Sequence, residues 1–534
     1  MVHGSRLWWT AGNELAGCGR ARSSEEIFGS WVVGSGSAAR PAGTARGLLE
    51  SRAVAKRRGE GAPLRVGMIS LGCAKNLVDA EVMLGHLVER GVVVTATARD
   101  ADVVVVNTCG FVEDAKRESI EAILEVAQHR REGSLARLVV AGCMAQRYAA
   151  ELAQEIPEID AFIGLDELER APEAVLGELG KDHIPDQRGA LRLYDETHPR
   201  LLATGGVYAY LKVAEGCNNP CAFCHIPRMR GAFRSRPVAS LVAEAQRLEK
   251  AGVREVVLVA QDTTRYGEDL GLGRQGLRRL VEALLEGTSI PWVRLLYAYP
   301  ATLDESLFAL MAREQRLVPY LDLPLQHASR RVLKAMRRGG DARSYRRLIS
   351  RAREVVPRLA VRSTFIVGFP GEEEEDVDEL EAFLGEVRFN HVGVFAYSWQ
   401  EENPGAALGD PVPARVKKRR RRRLMKVQEG ISRKLYRAFK GEEVTVLVSG
   451  VTPESPLLLE GRLPQQAPEV DGRVVLVNGT ARPGDLVRAR ITRTSVHDLV
   501  GEILEVVDAA PTRRQQLLPS LPVAPVVRPS RAEA

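Results

Sequence analysis

The sequence predicts an α/β protein in three parts. These are an N-terminal parallel α/β domain, a central TIM-like six-fold βα barrel read as open, and a small C-terminal all-β barrel of the OB type. Three observations carry that expectation. Short apolar runs alternate with amphipathic helical patterns from residue 64 to about 440, which implies βαβ units and parallel sheets. From residue 441 the helical pattern gives way to short strands separated by Gly and Pro. At 534 residues the chain also exceeds what one hydrophobic core usually organises.

In chain order, residues 1–62 are rich in Gly, Ala, Ser and Arg without a sustained period, and read as a disordered leader or a mis-assigned start. Residues 64–175 form the first domain. "RVGMISLGC", "ADVVVVNTC" and "ARLVVAGC" are its strands, and helical patterns such as "NLVDAEVMLGHLVERG" and "QRYAAELAQEI" lie between and after them. Residues 203–438 repeat the rhythm six times, with strands "VYAYLKVAEG", "REVVLVAQD", "WVRLLYAYP", "PYLDLPLQH", "LAVRSTFIVGFPG" and "HVGVFAYSW". Residues 440–506 hold "EEVTVLVSGV", "PLLLEGRL", "GRVVLVNG" and "DLVRARITRTSVHDLVGEIL". Residues 508–534 read as a disordered tail.

Composition narrows the class. Hydrophobic content of 45% and charge of 27% describe a soluble globular protein. No apolar run approaches the roughly 20 residues of a membrane helix, and no signal-peptide pattern opens the chain. The expected location is cytoplasmic, where thiols stay reduced, so seven cysteines point to metal or catalysis before disulfides. No Walker phosphate loop, dinucleotide glycine fingerprint or Ser/His/Asp constellation stands out.

Two sets of cysteines carry the chemistry. "AEGCNNPCAFCHIP" places Cys217, Cys221 and Cys224 within eight positions. Structural zinc usually takes four protein ligands, and His225 is adjacent to Cys224, a poor spacing for a shared tetrahedral ion. Three thiolates suit a [4Fe-4S] cluster with one open iron. Upstream, Cys73, Cys109 and Cys143 each end a predicted parallel strand. Ligands collect at the carboxyl ends of such strands, so three strands would deliver three thiols to one edge and hold a second [4Fe-4S] cluster. The competing reading is three separate core cysteines. Cys18, in the leader, fits neither set.

The Cys-x3-Cys-x-aromatic-Cys spacing, with Phe223 as the aromatic residue, resembles the signature of the radical S-adenosylmethionine (AdoMet) superfamily. By that resemblance the open iron chelates AdoMet, and one electron cleaves it to a 5′-deoxyadenosyl radical. Two three-cysteine sites, a radical AdoMet barrel and a terminal β-barrel resembling the TRAM domain together resemble the methylthiotransferases over residues 64–505. The words "SLGCAKNLVDAE", "NTCGFVEDAKRESI", "GCMAQRY", "EGCNNPCAFCHIPRMRGAFRSRP", "AQDTTRYG" and "LDLPLQH" resemble the branch that acts on a ribosomal protein. The tRNA branch has Ser-Ile-Arg where this chain has Gly110-Phe111-Val112, and asparagine where it has Asp262. Ala74 replaces a usual proline and His225 a usual aliphatic residue.

The resemblance implies methylthiolation of the β-carbon of an aspartate in a small-subunit ribosomal protein near the decoding centre. AdoMet would be radical source and methyl donor, and the auxiliary cluster would deliver sulfur. Modification of a tRNA adenosine is the alternative. The sulfur donor and the reductant protein are unidentified, and no membrane is involved. Phe223 and Gly368 are candidate AdoMet contacts, Gly368 because in the family this chain resembles the Gly-Phe-Pro-Gly turn after a barrel strand lies near AdoMet. Three further expectations concern charge and exposure. Residues 441–505 hold ten acidic residues, six Arg and no Lys, a net of −4 that suits a basic protein partner. "RVKKRRRRR" at 415–423 reads as a solvated linking helix, with ribosomal RNA contact as the alternative. His225 reads as a partly exposed bystander.

Overall fold

The computed structural model describes residues 63–95, 100–186 and 192–511. The expectations for the leader, for Cys18 and for the tail from residue 512 lie outside the described residues. The chain forms two compact units. Of the described residues, one holds those up to Arg192 together with His198–Ala203; the other holds Leu193–Thr197 and residues 204–511.

The first unit is built on a parallel sheet ordered β2-β1-β3-β4-β5. Its strands are β1 (Arg65–Ser70), β2 (Val93–Thr95), β3 (Val103–Thr108), β4 (Arg137–Gly142) and β5 (Ala161–Ile163). The central strand β3 is buried at all six positions, as an apolar run covered on both faces should be. The sequence announces β1, β3 and β4 but not β2 and β5, because three residues at a sheet edge are too few to show a period. Helices α1 (Ala74–Glu89), α2 (Glu113–Arg131) and α3 (Cys143–Glu155) follow β1, β3 and β4. Residues 198–203 return to α1, where buried Glu81 takes Arg200 at 2.6 Å and the Ala203 N–H at 2.7 Å.

The second unit contains both barrels. The six anticipated strands are β6 (Tyr208–Lys212), β9 (Glu255–Val259), β10 (Trp292–Leu295), β11 (Tyr320–Gln326), β12 (Ala360–Val367) and β13 (His391–Ala396). They hydrogen-bond as two parallel triplets, β10-β9-β6 and β11-β12-β13. Ala298 N–H to Asp322 O (2.9 Å) and Tyr297 N–H to Asp322 Oδ2 (2.9 Å) bridge the triplets. Among the described residues no ladder joins β6 to β13, so the six-fold arc is open there. Two short strands, β7 (Ala214–Glu215) and β8 (Arg234–Ser235), pair antiparallel and close the neck of the intervening loop. Four further helices matter below: α4 (Arg330–Ala335), α5 (Ala342–Val355), α6 (Glu374–Val387) and α7 (Ala414–Arg437).

The C-terminal barrel closes in the order β14-β15-β16-β18-β17. Its strands are β14 (Glu443–Thr452), β15 (Ser455–Arg462), β16 (Val474–Val477), β17 (Leu486–Thr494) and β18 (Leu499–Asp508). The last anticipated run splits in two at the Ser495–Asp498 turn, where Asp498 N–H donates to Ser495 Oγ at 2.9 Å. Strand β18 continues to Asp508, past the expected end at 506. Val446, Val448, Val474, Leu476, Val487, Ile491 and Leu499 fill the interior.

This barrel seats on the amino ends of the βα-barrel strands. Tyr208, Glu255, Tyr320 and His391 each open a strand, and each contacts it. Tyr208 OH donates to Glu469 at 2.7 Å, Tyr320 OH to Asp471 at 2.6 Å, and His391 Nδ1 lies 3.2 Å from Asp471. Arg294 Nε donates to Glu255 at 2.6 Å, while Arg462 lies 2.5 Å from the other carboxylate oxygen as an ion pair rather than a directed hydrogen bond.

Two charge expectations need correction. The Arg-rich run is not simply solvated: Lys417 and Arg420 are buried, with Lys417 Nζ donating to Tyr397 O (2.9 Å) and Arg420 to Glu372 (2.9 Å). Arg419 and Arg423 pair with acidic residues of α6. The acidic excess of the C-terminal barrel is not a free acidic face either. Each of its ten carboxylates has a partner within the chain: Glu442 takes Arg358, Glu443 takes Arg490, Glu454 and Glu460 take Arg473, and Glu505 takes Arg488. Glu469 and Asp471 hold the tyrosines above; Glu502 accepts from Asn478, and Asp485 and Asp498 accept backbone N–H groups. No described helix is long and apolar enough to cross a membrane.

Candidate active site

In the first unit the parallel register brings the anticipated cysteines to one edge. Thr108 lies opposite Gly142, so Cys109 and Cys143 leave neighbouring strands at the same level. Ser70 lies opposite Asn107, and Cys73 follows three residues beyond β1. Contact is close. A Cβ on Gly72 (φ +91°) would stand 2.7 Å from Cys109 Cβ and 3.0 Å from its Sγ, and one on Gly110 would stand 3.4 Å from the Cys143 backbone. Only glycine before Cys73 admits the side chain of Cys109.

Two of the three cysteines occupy helix amino termini. Cys73 is the N-cap of α1, and Cys143 is the first residue of α3, which starts three residues earlier than its pattern suggests. The positive end of a helix dipole favours a thiolate over a thiol. Asn76 Nδ2 donates to Leu71 O (2.7 Å) and Thr108 O (3.2 Å), tying the Cys73 loop to the end of β3. Asn107 Nδ2 donates to Asn76 O at 2.7 Å. Ser119 Oγ accepts from Cys109 N–H and donates to Cys109 O, each at 3.0 Å. Sequence reasoning assigned Asn76, Asn107 and Ser119 no part; polar residues on buried positions beside the cysteines are the signal that marks them.

In the second unit, Cys217, Cys221 and Cys224 lie on the loop after β7, at the carboxyl end of the first barrel strand. The loop is held at many points. Cys217 N–H donates to Gly231 O (3.2 Å), Ala222 N–H to Met336 O (2.9 Å) and Gly405 N–H to Ala222 O (2.9 Å). Asn219 Nδ2 donates to Asp262 Oδ2 at 2.9 Å, and Arg338 Nη1 lies 3.4 Å from Cys221 Sγ while its guanidinium covers the Tyr299 ring. A cavity of about 420 Å3 opens over Cys217, Cys224, Asn219, His225 and Arg228.

The thiols sense one another. Burial pushes Cys224 up to about 12, with Cys221 and Cys217 adding to the rise, and burial likewise raises Cys217. Cys217 and Cys221 are buried and Cys224 partly so, and thiols that bind metal release protons as they do. Among the described residues no three His, Cys, Asp or Glu side chains converge tightly enough for a single metal ion. Thiolates of a cluster bind different irons and need no such convergence. Three cysteines without a fourth protein ligand are the donor set of a cluster with one open iron rather than of a structural zinc.

Below the loop lies a buried charge cluster that sequence reasoning missed. Glu215 accepts from Lys212 (2.7 Å), Arg230 (3.0 Å) and Gln261 (2.6 Å). Burial alone would raise its carboxyl, but Arg230 and Lys212 hold it well below the usual carboxylate range. A Cβ on Gly216 would strike the backbone oxygens of Gly231 and Ala232, so the two ends of the loop meet there. A Lys and a Glu three apart among buried apolar positions were the signal available in the sequence.

The remaining candidates lie close by. Phe223 packs with Ala222, Val332, Met336, Phe369 and Tyr397. Gly368 (φ +77°) precedes Phe369, and a Cβ there would run into Lys417 of α7, which gives this glycine a packing role of its own. His225 is buried, not partly exposed, and its Nδ1 lies 2.9 Å from Asn403 Oδ1. Asp262, noted in the sequence only as a branch marker, is buried and holds the loop through Asn219.

Comparison with known proteins agrees with this division. Residues 65–164 match an uncharacterized family, UPF0004; residues 211–384 match the Radical SAM superfamily; residues 441–504 match the TRAM domain. The chain is 46% identical to the ribosomal protein uS12 methylthiotransferase RimO of Pelobacter propionicus, over 83% of this chain and 98% of the relative. It is 47% identical to the RimO protein of Symbiobacterium thermophilum, over 86% of this chain and 95% of the relative. Among solved structures it is similar to the radical S-adenosylmethionine methyltransferase TsrM of Kitasatospora setae, at 16% identity and a TM-score of 0.47, over 65% of this chain and 75% of that one.

Proposed function

The chain belongs to the RimO family of radical SAM methylthiotransferases, enzymes with an iron–sulfur cluster and AdoMet, and on that footing we propose that it methylthiolates the β-carbon of an aspartate in ribosomal protein uS12. AdoMet serves as radical source and methyl donor. Two [4Fe-4S] clusters are required, one held by Cys217, Cys221 and Cys224 and one by Cys73, Cys109 and Cys143. The observation that carries this reading is that three cysteines follow neighbouring parallel strands in the first unit and three share the loop beyond the first barrel strand in the second. Ligand-binding loops gather at the carboxyl ends of such strands in open sheets and βα barrels alike.

When bound, the cluster of the second unit supplies the electron that cleaves AdoMet, and that of the first carries the sulfur to be transferred. The chain's own residues bind, orient and exclude water. Asp262 and Asn219 fix the stretch between Cys217 and Cys221, Glu215 with Arg230 fixes the neck, and Arg338 donates toward Cys221. Phe223 and Gly368 are the proposed AdoMet contacts, the first with the apolar wall of Phe369 and Tyr397 behind it. A ribosomal substrate implies a cytoplasmic location. The sulfur donor and reductant protein are separate partners.

Mass spectrometry of ribosomal proteins and of tRNA, from a strain lacking the gene and from the same strain complemented, tests the reading. The expected result is a methylthio group on uS12 that disappears and returns with the gene, while tRNA is unchanged. Loss of a methylthio group from tRNA, with uS12 unaltered, would transfer the assignment to tRNA adenosine.

A further inference from the structure

Resting on the reading of a ribosomal substrate, we propose that the outer faces of α4 and α5 form a docking surface for RNA phosphates beside the mouth of the cysteine loop. The segment 329–347, "SRRVLKAMRRGGDARSYRR", carries eight Arg and Lys residues against one Asp. Three of the eight are used within the protein: Arg331 pairs with Glu373 and Asp376, Arg346 with Glu386, and Arg338 serves the loop. The other five, Arg330, Lys334, Arg337, Arg343 and Arg347, are exposed, and no described carboxylate lies within ion-pair distance of them. Five exposed cations with no ion pair on two short successive helices make a positive field that Asp341, near Arg330 and Arg343, offsets only in part.

Four of the five stand in two pairs. Arg330 and Lys334 are four apart on α4, as are Arg343 and Arg347 on α5, so each pair lies on one helix face. Asp341, the N-cap of α5, sits between the helices. Hydrogen bonds from Ser344 chiefly lower its carboxyl, and both Arg330 and Arg343 contribute. Of the acidic residues of α6, Asp376 and Glu386 are taken by Arg331 and Arg346, and Glu374, Asp378 and Glu381 by arginines of α7, while Glu379 stands near Asp341.

Location and chemistry select the partner. The segment after α4 touches the cysteine loop, through Met336 O to Ala222 N–H at 2.9 Å and Arg338 to Cys221 at 3.4 Å. The exposed cations therefore flank a segment that is itself in contact with the loop. The C-terminal barrel, by contrast, covers the amino ends of the barrel strands, away from the loop. Among the described residues of 329–351 no large apolar side chain is exposed, so the surface lacks the apolar centre of a protein interface or a lipid-inserting face. Four guanidinium groups match phosphate oxygens in geometry as well as charge. A basic ribosomal protein would be repelled by this surface, whereas the RNA around it would be attracted.

The test compares the reconstituted full chain with a variant carrying Arg330→Gln, Lys334→Gln, Arg337→Gln, Arg343→Gln and Arg347→Gln. A control carries Arg415→Gln, Lys418→Gln and Arg422→Gln, exposed cations of α7. Binding of a short fluorescent RNA hairpin, of purified small ribosomal subunits and of isolated uS12 is measured at several salt concentrations. The expected result is at least about tenfold weaker binding of hairpin and subunit by the fivefold variant near 0.1 M salt. The slope of log affinity against log salt should flatten by up to about 4. The control and the binding of isolated uS12 should be unchanged. Wild-type affinity and slope in the fivefold variant, or a loss confined to isolated uS12, would overturn the proposal. If wild type binds no RNA yet modifies free uS12, this surface fails and the proposed function stands. If RNA binding depends on the five residues but uS12 is never modified, the proposed function fails with its substrate.

Discussion

Glu215 shows how one carboxylate can govern a site it does not line. It is buried, with Lys212, Arg230 and Gln261 all donating to it, and it joins the strand before the cysteine loop to the chain after it. Glu215→Gln keeps the shape but strands two buried cations. Breaking a buried ionic cluster in this way costs about 3–5 kcal/mol. A lower unfolding midpoint in denaturant, together with reduced iron retention in reconstituted protein, is the expected pair of results; an unchanged midpoint would show that Lys212 and Arg230 find other partners. The cysteines themselves make a cleaner division. Two clusters imply about eight irons per chain, and Ala at Cys217, Cys221 or Cys224 should remove about half of them along with AdoMet cleavage. Ala at Cys73, Cys109 or Cys143 should remove the other half and leave AdoMet cleavage measurable. Iron analysis beside 5′-deoxyadenosine assays distinguishes the two classes of variant.

At the scale of elements, helix α7 shows that a charge run is not one thing. Its hidden members, Lys417 and Arg420, bond to Tyr397 O and Glu372, while Arg415, Lys418 and Arg422 face outward. The sequence shows nine positions of nearly uniform charge and cannot say which turn toward the barrel; α6, with its acidic residues, makes that choice. Arg420→Gln should therefore cost about 3 kcal/mol, because Glu372 stays buried beside it. The triple change of Arg415, Lys418 and Arg422 to Gln should stay within about 0.5 kcal/mol. Thermal unfolding of the two variants checks the contrast, and equal effects would mean that the run behaves as a solvated helix after all.

For the whole molecule, the joint between the two barrels is ionic. Glu255, fully buried at the start of β9, faces Arg294 and Arg462, one from each barrel. Burial raises its carboxyl, but the two guanidinium groups outweigh that and leave it below the ordinary range. A depressed carboxylate stabilises the fold at pH values above its unfolded value, and the contribution disappears as pH falls through its folded value. The stability gap between wild type and Glu255→Gln should thus be full near neutral pH and begin to close only below about pH 4. Urea unfolding from pH 7 downward measures it. A gap constant across that range would mean that the joint does not depend on the Glu255 charge.

Much of this protein was legible before its structure. The Cys-x3-Cys-x-Phe-Cys spacing, the six barrel strands and the cysteines at strand ends are local facts, since period, turn residues and spacing are carried by neighbouring positions. Other features depend on residues far apart in the chain. Glu469 and Asp471 read as free acids in a barrel of net −4, yet they meet Tyr208 and Tyr320 some 150 to 260 residues away. His225 read as partly exposed, yet it is buried against Asn403. Edge strands β2 and β5 are held by register with their neighbours rather than by any pattern of their own. A residue's charge and polarity are written in its type, but whether that charge is free depends on what the fold brings beside it. For that reason Lys417 and Arg420 of α7 are taken up by the fold while Arg415, Lys418 and Arg422 stay exposed, as do five cations of α4 and α5.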